Sequence, residues 1–132
     1  MPYEIEHTGD EWRRLLTPDS YRILRRAGTE PAFHNALWDN HADGTYLCGG
    51  CDRPLFDSAD KYDSGSGWPS FTRPIEPAAV ETVTDRQFGV TRTEVRCSRC
   101  GSHLGHLFDD GPAPFGTRYC MNSGSLRFEP RG

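Results

Sequence analysis

The chain is expected to be mainly β: an antiparallel domain that opens with two short helices and is stapled by a metal. Three observations predict this. Helix-capping signals are confined to the first thirty residues. From about residue 45 the pattern turns to short β-rich stretches between turns. Four of the five cysteines fall in two Cys-x-x-Cys pairs, Cys48 with Cys51 and Cys97 with Cys100. A length of 132 residues suits one domain with one modest core. We therefore read 1–132 as a single domain, with 1–30 a helical segment packed on the β core. The hydrophobic share of 35% is lean and turn formers are plentiful, with 14 Gly and 10 Pro. Such a chain gains from a metal, because binding to the folded site adds directly to folding free energy.

Thr8-Gly9-Asp10-Glu11 has capping-box spacing, a hydroxyl at the N-cap and Glu three residues on. Trp12, Leu15 and Leu16 are then expected on one helical face. Thr17-Pro18 restarts the chain with a cap and a proline at the first helical position. Tyr21, Ile23 and Leu24 supply the apolar face, Arg25 and Arg26 suit the negative C-terminal end, and Gly28 is the expected stop. Strands are expected at 45–47, 54–56, 80–84, 90–96, 103–108, 117–122 and 125–128, where β-branched and aromatic residues gather between turns.

Each Cys-x-x-Cys pair sits at a turn just after a strand, as in zinc knuckles, where backbone N–H groups hydrogen-bond the thiolates. Four thiolates close a tetrahedral sphere and leave no open position, so the metal is read as structural rather than catalytic. The stretch between the pairs, Asp52 to Arg96, is far longer than the roughly 12–20 residues of a zinc finger or ribbon. The metal should therefore tie two distant hairpins together. Two disulfides with a spare thiol, or a four-cysteine iron centre, are the alternatives. The first needs an exported protein, and the opening Met1-Pro2-Tyr3-Glu4-Ile5-Glu6 has neither the basic start nor the apolar run of a leader. A cytoplasmic location is expected. No apolar run approaches the roughly 20 residues of a membrane span. The net charge of −4, with arginines scattered among acids, predicts no nucleic-acid surface. Nothing signals oligomerisation, and we read a monomer.

Three stretches carry the chemistry. Alternation along Arg118-Tyr119-Cys120-Met121-Asn122 puts Arg118, the unpaired thiol of Cys120 and Asn122 on one face. A guanidinium beside the thiol is expected to lower its pKa. His103-Leu104-Gly105-His106 carries two histidines, a residue type that can supply a proton donor near neutral pH. Gly65-Ser66-Gly67-Trp68-Pro69 presents a Trp from a turn pinned by Gly and Pro. Each has a plainer reading: a buried small thiol, histidines that serve the core or hydrogen-bond the zinc thiolates, and a core Trp.

Together these residues resemble the R-type methionine sulfoxide reductases, the B class. The resemblance runs from the N-terminal helices to Phe128. It rests on Cys-Gly-Gly-Cys (48–51), Gly-Trp-Pro-Ser-Phe (67–71), Arg-Thr-Glu-Val (92–95), Cys-Ser-Arg-Cys (97–100), His-Leu-Gly-His (103–106) and Arg-Tyr-Cys-Met-Asn-Ser (118–123). It implies two antiparallel sheets bound by one structural Zn2+ per chain. It also implies reduction of the R epimer of methionine sulfoxide, in proteins and free, with thioredoxin as reductant. The nucleophile falls on Cys120, which is left as sulfenic acid. His103 is then the proton donor and Asn122 holds the polar side of the site. The substrate-binding set is Trp68, whose indole face packs on the S-methyl group, with His106, Arg118 and Phe128.

The chain departs from the pattern in two places. Ser66 stands where many members carry a recycling cysteine, and Met121 where branched aliphatic residues are usual. With the other four cysteines committed to zinc, no internal disulfide with Cys120 is expected. The competing class is a zinc-stapled β module that binds a protein partner, with Cys120 buried and Trp68 a surface anchor. Rapid alkylation of a low-pKa Cys120 is expected of the enzyme and an inert thiol of the module. A thiol–disulfide oxidoreductase using its Cys-x-x-Cys pairs would need a βαβ context, which the pattern lacks.

Overall fold

The computed structural model describes residues 3–87 and 89–131. Met1 and Pro2, the first residues of the segment read as lacking a leader, lie outside them, as does Gly132 at the end of the span read as one domain.

Both helices start as their sequences dictate. In α1 (Gly9–Leu15) the Glu11 amide donates to Thr8 Oγ1 at 3.1 Å and the Thr8 amide to Glu11 Oε1 at 2.7 Å, which completes the capping box. In α2 (Pro18–Arg26) the Ser20 amide donates to Thr17 Oγ1 at 3.1 Å. Two expectations fail. Leu15 is exposed, because a helix of two turns meets the core along one line, Trp12 to Leu16, and Leu15 lies about 60° from Trp12 and about 100° from Leu16 around the axis. Helix α2 ends on Ala27 in the left-handed conformation (φ 53°), one residue before Gly28, which instead donates its amide to Arg22 O at 2.9 Å. Nor does Arg25 merely cap its own helix. Its Nη1 donates to Cys100 O at 2.8 Å while its guanidinium lies 4.5 Å from the Trp12 ring, which ties α2 to the second cysteine turn.

Nine strands follow: β1 Gly44–Cys48, β2 Pro54–Asp57, β3 Lys61–Tyr62, β4 Ser70–Phe71, β5 Val80–Gln87, β6 Val90–Cys97, β7 His103–Phe108, β8 Arg118–Met121 and β9 Leu126–Pro130. They form two antiparallel sheets, ordered β2-β1-β9 and β3-β4-β8-β7-β6-β5. All seven expected strands are present. Strands β3 and β4 were not expected, since two residues display no alternation. They matter nonetheless, because β4 pairs with β8 and sets Ser70 opposite Cys120.

The core lies where the sheets meet. Tyr46, Leu55 and Phe56 of the smaller sheet pack against Phe71, Val95, Leu104 and Met121 of the larger, and Phe56 stacks on Phe71 at 4.4 Å. Burial of such side chains contributes roughly 1.5–3 kcal/mol each. Trp12 joins the same cluster, so α1 is anchored on the β core. Phe128, on β9, packs on Tyr46 at 4.9 Å. It belongs to the smaller sheet and does not line the cleft that holds Cys120, where it was expected as a binding residue. Among the described residues, no helix is long and apolar enough to cross a membrane.

Candidate active site and metal centre

The two Cys-x-x-Cys turns meet between the sheets. Cys48 ends β1, Cys51 lies in the turn to β2, Cys97 ends β6, and Cys100 lies in the turn to β7. Their four sulfurs lie within 4.8 Å of one another. Cys48 and Cys100 Sγ are 3.7 Å apart, and Cys51 and Cys97 Sγ 3.6 Å. Those separations are too long for disulfides. They match the roughly 3.8 Å edge of a sulfur tetrahedron around an ion bound at about 2.3 Å. Polar donors surround the sulfurs: the Gly50 amide lies 3.3 Å from Cys48 Sγ and Ser102 Oγ 3.1 Å from Cys100 Sγ. Sharing of one proton within the Cys48–Cys100 pair pushes Cys48 up and holds Cys100 down. Four such thiols become thiolates together only around a cation. The donor set therefore fits a metal, joined across the two sheets as the sequence predicts.

The fifth cysteine sits elsewhere. Cys120 lies in the middle of β8, half-buried, on a cleft of about 390 Å³. His106 is its direct cross-strand partner on β7, and His103 lies three residues back on the same strand, the two rings 5.4 Å apart. Gly105 lies between them because β8 passes so close: a Cβ there would stand 2.1 Å from Cys120 O. Trp68 forms another wall, its ring fixed by an Nε1–H bond to Glu30 O at 3.0 Å. The strap after α2, Ala27 to Thr29, closes the cleft beside Asn122. Thr29 Oγ1 donates to Asn122 Oδ1 at 3.0 Å, and Asn122 Nδ2 to Gly28 O at 3.4 Å. The Glu30 carboxylate pins the strap by accepting from the Ser123 and Gly124 amides.

Cys120, His103, His106, Trp68 and Asn122 thus converge, as expected from sequence. Arg118 is on the Cys120 side of β8 but does not line the cleft. Asp110 holds its guanidinium by two bonds, at 2.8 and 3.1 Å, over the Phe108 ring. It acts on the site as a fixed charge, not as a free donor. The Cys120 thiol itself contradicts the expectation of a lowered pKa. Burial pushes it up, and this outweighs the opposing pull of the Ser66 hydroxyl and the Arg118 charge. Slow alkylation of the resting thiol therefore does not separate an enzyme from a binding module.

Comparison with known proteins decides the family. The family model described as the SelR domain matches residues 16–130. Curated relatives named peptide methionine sulfoxide reductase MsrB include one from Thiobacillus denitrificans, 55% identical over 99% of both chains. Others are from Leptospira interrogans, 52% identical over 98% of both, and Leifsonia xyli, 54% identical over 97% of this chain and 93% of the relative. The chain belongs to the methionine sulfoxide reductase B family.

Beside this MsrB-family cleft, two acidic residues escaped the reading of the sequence. Glu94 on β6 is buried, with Oε2 2.7 Å from His103 Nδ1 and Oε1 2.9 Å from Arg96. Burial alone would raise its pKa, but hydrogen bonds from His103 and Arg96 prevail and hold it down at about 2. An ionised carboxylate only accepts, so Nδ1 carries the proton and Nε2 is left for the cleft. Asp85 on β5 accepts from Arg92 and meets His106 Nε2, each at 3.3 Å. Burial lowers His106, so its ring is neutral at neutral pH. Glu94 and Arg92 stand in the Arg-Thr-Glu-Val motif, but only the β6–β7 pairing reveals what Glu94 faces.

Proposed function

We propose that the protein is a peptide-methionine (R)-S-oxide reductase that uses Cys120 as nucleophile. The observation that carries this reading is the lone thiol, outside the metal cluster, facing two imidazoles and a fixed indole in a chain of this family. The Cys120 sulfur attacks the sulfoxide sulfur, whose oxygen must first be hydrogen-bonded or protonated. The oxygen passes to Cys120 and methionine leaves. Thiol plus sulfoxide becomes sulfenic acid plus thioether, two electrons moving from the Cys120 sulfur to the substrate sulfur. The attacking form is the thiolate, so the Cys120 proton leaves as the sulfoxide oxygen takes one up, and the step balances overall.

His103 is the acid: Glu94 compensates its cationic form and directs Nε2 to the cleft. Neutral His106, opposite Cys120, donates its one N–H to Asp85 and walls the site with its ring, and Asn122 with its strap holds that polar side. The Trp68 face takes the S-methyl group and selects one epimer. The metal held by Cys48, Cys51, Cys97 and Cys100 is one structural zinc, remote from this chemistry. The sulfenic acid is reduced directly: thioredoxin, or two equivalents of a small thiol, supplies the electrons and water leaves. Oxidised proteins, peptides and the free amino acid are the substrates, and the enzyme works as a cytoplasmic monomer.

The deciding experiment offers separated R and S epimers of N-acetylmethionine sulfoxide with dithiothreitol as reductant. Turnover of the R epimer alone is expected. A folded, metal-loaded sample inactive on both would support the binding module instead.

Two predictions refine the roles. His103→Asn is expected to lower kcat by about 10²–10⁴-fold, more than His106→Asn, and the reverse order would move the acid role to His106. Glu94→Gln should cost less, and Glu94→Gln/His103→Asn should be no slower than His103→Asn alone, since the carboxylate acts through that ring. Additive losses would show that Glu94 acts otherwise. Mass spectrometry after one turnover without reductant should find Cys120 as sulfenic acid, trapped by dimedone. Ser66 Oγ is 3.9 Å from Cys120 Sγ, and the four other cysteines are gathered at the metal site. A disulfide from Cys120 to any of them would contradict direct reduction.

A further inference from the structure

A second depression, of about 240 Å³, borders the cleft, and Trp68 is the one described residue that lines both. Its walls are aromatic. Phe33 and Trp38 meet edge to face at 5.0 Å, and Trp68 completes the set. Phe33 is unusual on two counts. It is 49% exposed, so core packing does not require it. Its φ of 63° is left-handed, which costs a bulky residue roughly 1–2 kcal/mol and is ordinarily left to Gly or Asn. The loop that carries Trp68 holds it there: the Phe33 amide donates to Gly67 O at 2.8 Å, and Asn35 Nδ2 donates to the same oxygen at 2.9 Å. Gly67 (φ 88°) leaves room for the ring, since a Cβ there would lie 2.7 Å from it.

The rim is acidic. Asp39 and Asp63 both line the depression. Asp63 is engaged by His41 at 3.0 Å, whereas Asp39 has no ion pair among the described residues. Lys61, whose charge is felt by both carboxylates, donates its ammonium to Trp38 O at 3.0 Å. Aromatic faces beneath a carboxylate attract a cationic side chain and repel an anionic one.

We propose that this depression receives a Lys or Arg side chain close to the oxidised methionine in a polypeptide substrate. The proposal rests on the sulfoxide reductase reading of the neighbouring cleft. A single indole separates the two, and an extended chain advances roughly 3.3 Å per residue, so the basic residue lies one or two positions from the methionine.

The test compares N-acetylmethionine (R)-sulfoxide with capped pentapeptides centred on the sulfoxide. Lys, Ala or Glu is placed at each flanking position in turn, with dithiothreitol as reductant. At the best position Lys should raise kcat/KM about fivefold over Ala, with Glu below Ala. The advantage should shrink in roughly 0.5 M salt. It should vanish in Asp39→Asn and in Phe33→Leu, while both variants turn over N-acetylmethionine sulfoxide like the parent. No position with a Lys advantage, or an advantage that survives both substitutions, overturns the proposal. A parent protein inactive on N-acetylmethionine sulfoxide overturns the reading of the active cleft, and this one with it.

Discussion

Cys120→Ser is expected to abolish reduction of the R epimer, by about 10⁴-fold or more in kcat, while leaving the fold intact. The loss is large because no other residue can replace the thiol. The remaining cysteines are gathered at the metal site, and the nearest hydroxyl, Ser66, is bonded to Ser64 at 2.8 Å. A serine oxygen does not accept the sulfoxide oxygen, so the electrons have no source. The fold should survive because Ser and Cys are close in size and Ser66 and Ser70 offer hydrogen bonds to a new hydroxyl. Circular dichroism and metal content unchanged from the parent, with turnover gone, is the expected pair of results. Turnover retained by Cys120→Ser would remove the nucleophile assignment altogether.

Cys48→Ser, or chelation of the metal, should act in the opposite way, on stability first. Cys48 lies on the smaller sheet and is buried; Cys97 and Cys100 belong to the larger. The four sulfurs span the two sheets, so an ion held there would join them beside a core of modest size. Structural zinc in small domains contributes about 10–16 kcal/mol of apparent binding energy, and a domain of this kind has only about 5–15 kcal/mol of net stability. Opening one ligand position should therefore lower Tm by roughly 15 °C or more, with zinc falling from one per chain toward zero by elemental analysis. A Cys48→Ser protein that keeps its metal and its Tm would refute the four-thiolate site. Chelated protein should lose activity and folded signal together, because the cleft residues ride on the sheet that the ion anchors.

The N-terminal caps show how far local chemistry reads through. Thr8, Glu11 and Thr17 form the bonds their spacing dictates, because a cap involves neighbours within three residues. The helix ends were less legible. Whether Ala27 or Gly28 takes the left-handed turn depends on how the strap is pinned to Ser123 and Gly124 by Glu30, almost a hundred residues away. The site divides in the same manner. Alternation on β8 and the spacing of the two histidines put Cys120, His103 and His106 within reach, and the Cys-x-x-Cys pairs marked the metal. Glu94 was hidden, since a carboxylate in a strand reads as a solvated face until β6 is laid beside β7. Phe128 misled for the converse reason: an aromatic near the nucleophile in sequence crossed to the other sheet.

What the sequence by itself determined was therefore the cast of groups: four cysteines spaced for one metal, one spare thiol, two imidazoles, a presented indole, and the β-rich pattern that holds them. These follow from residue type and spacings of two to four positions, over which backbone geometry is regular. The tertiary structure alone decided the charge states and the partners. Burial beneath the strap and the Trp68 loop overrides the guanidinium at Cys120 and raises its thiol pKa, and Arg118 is spent on Asp110. His103 receives its carboxylate from a neighbouring strand, and Phe33 is lifted beside Trp68 by a loop more than thirty residues away. Desolvation and cross-strand contact arise from what surrounds a residue, and a one-dimensional pattern carries no measure of either.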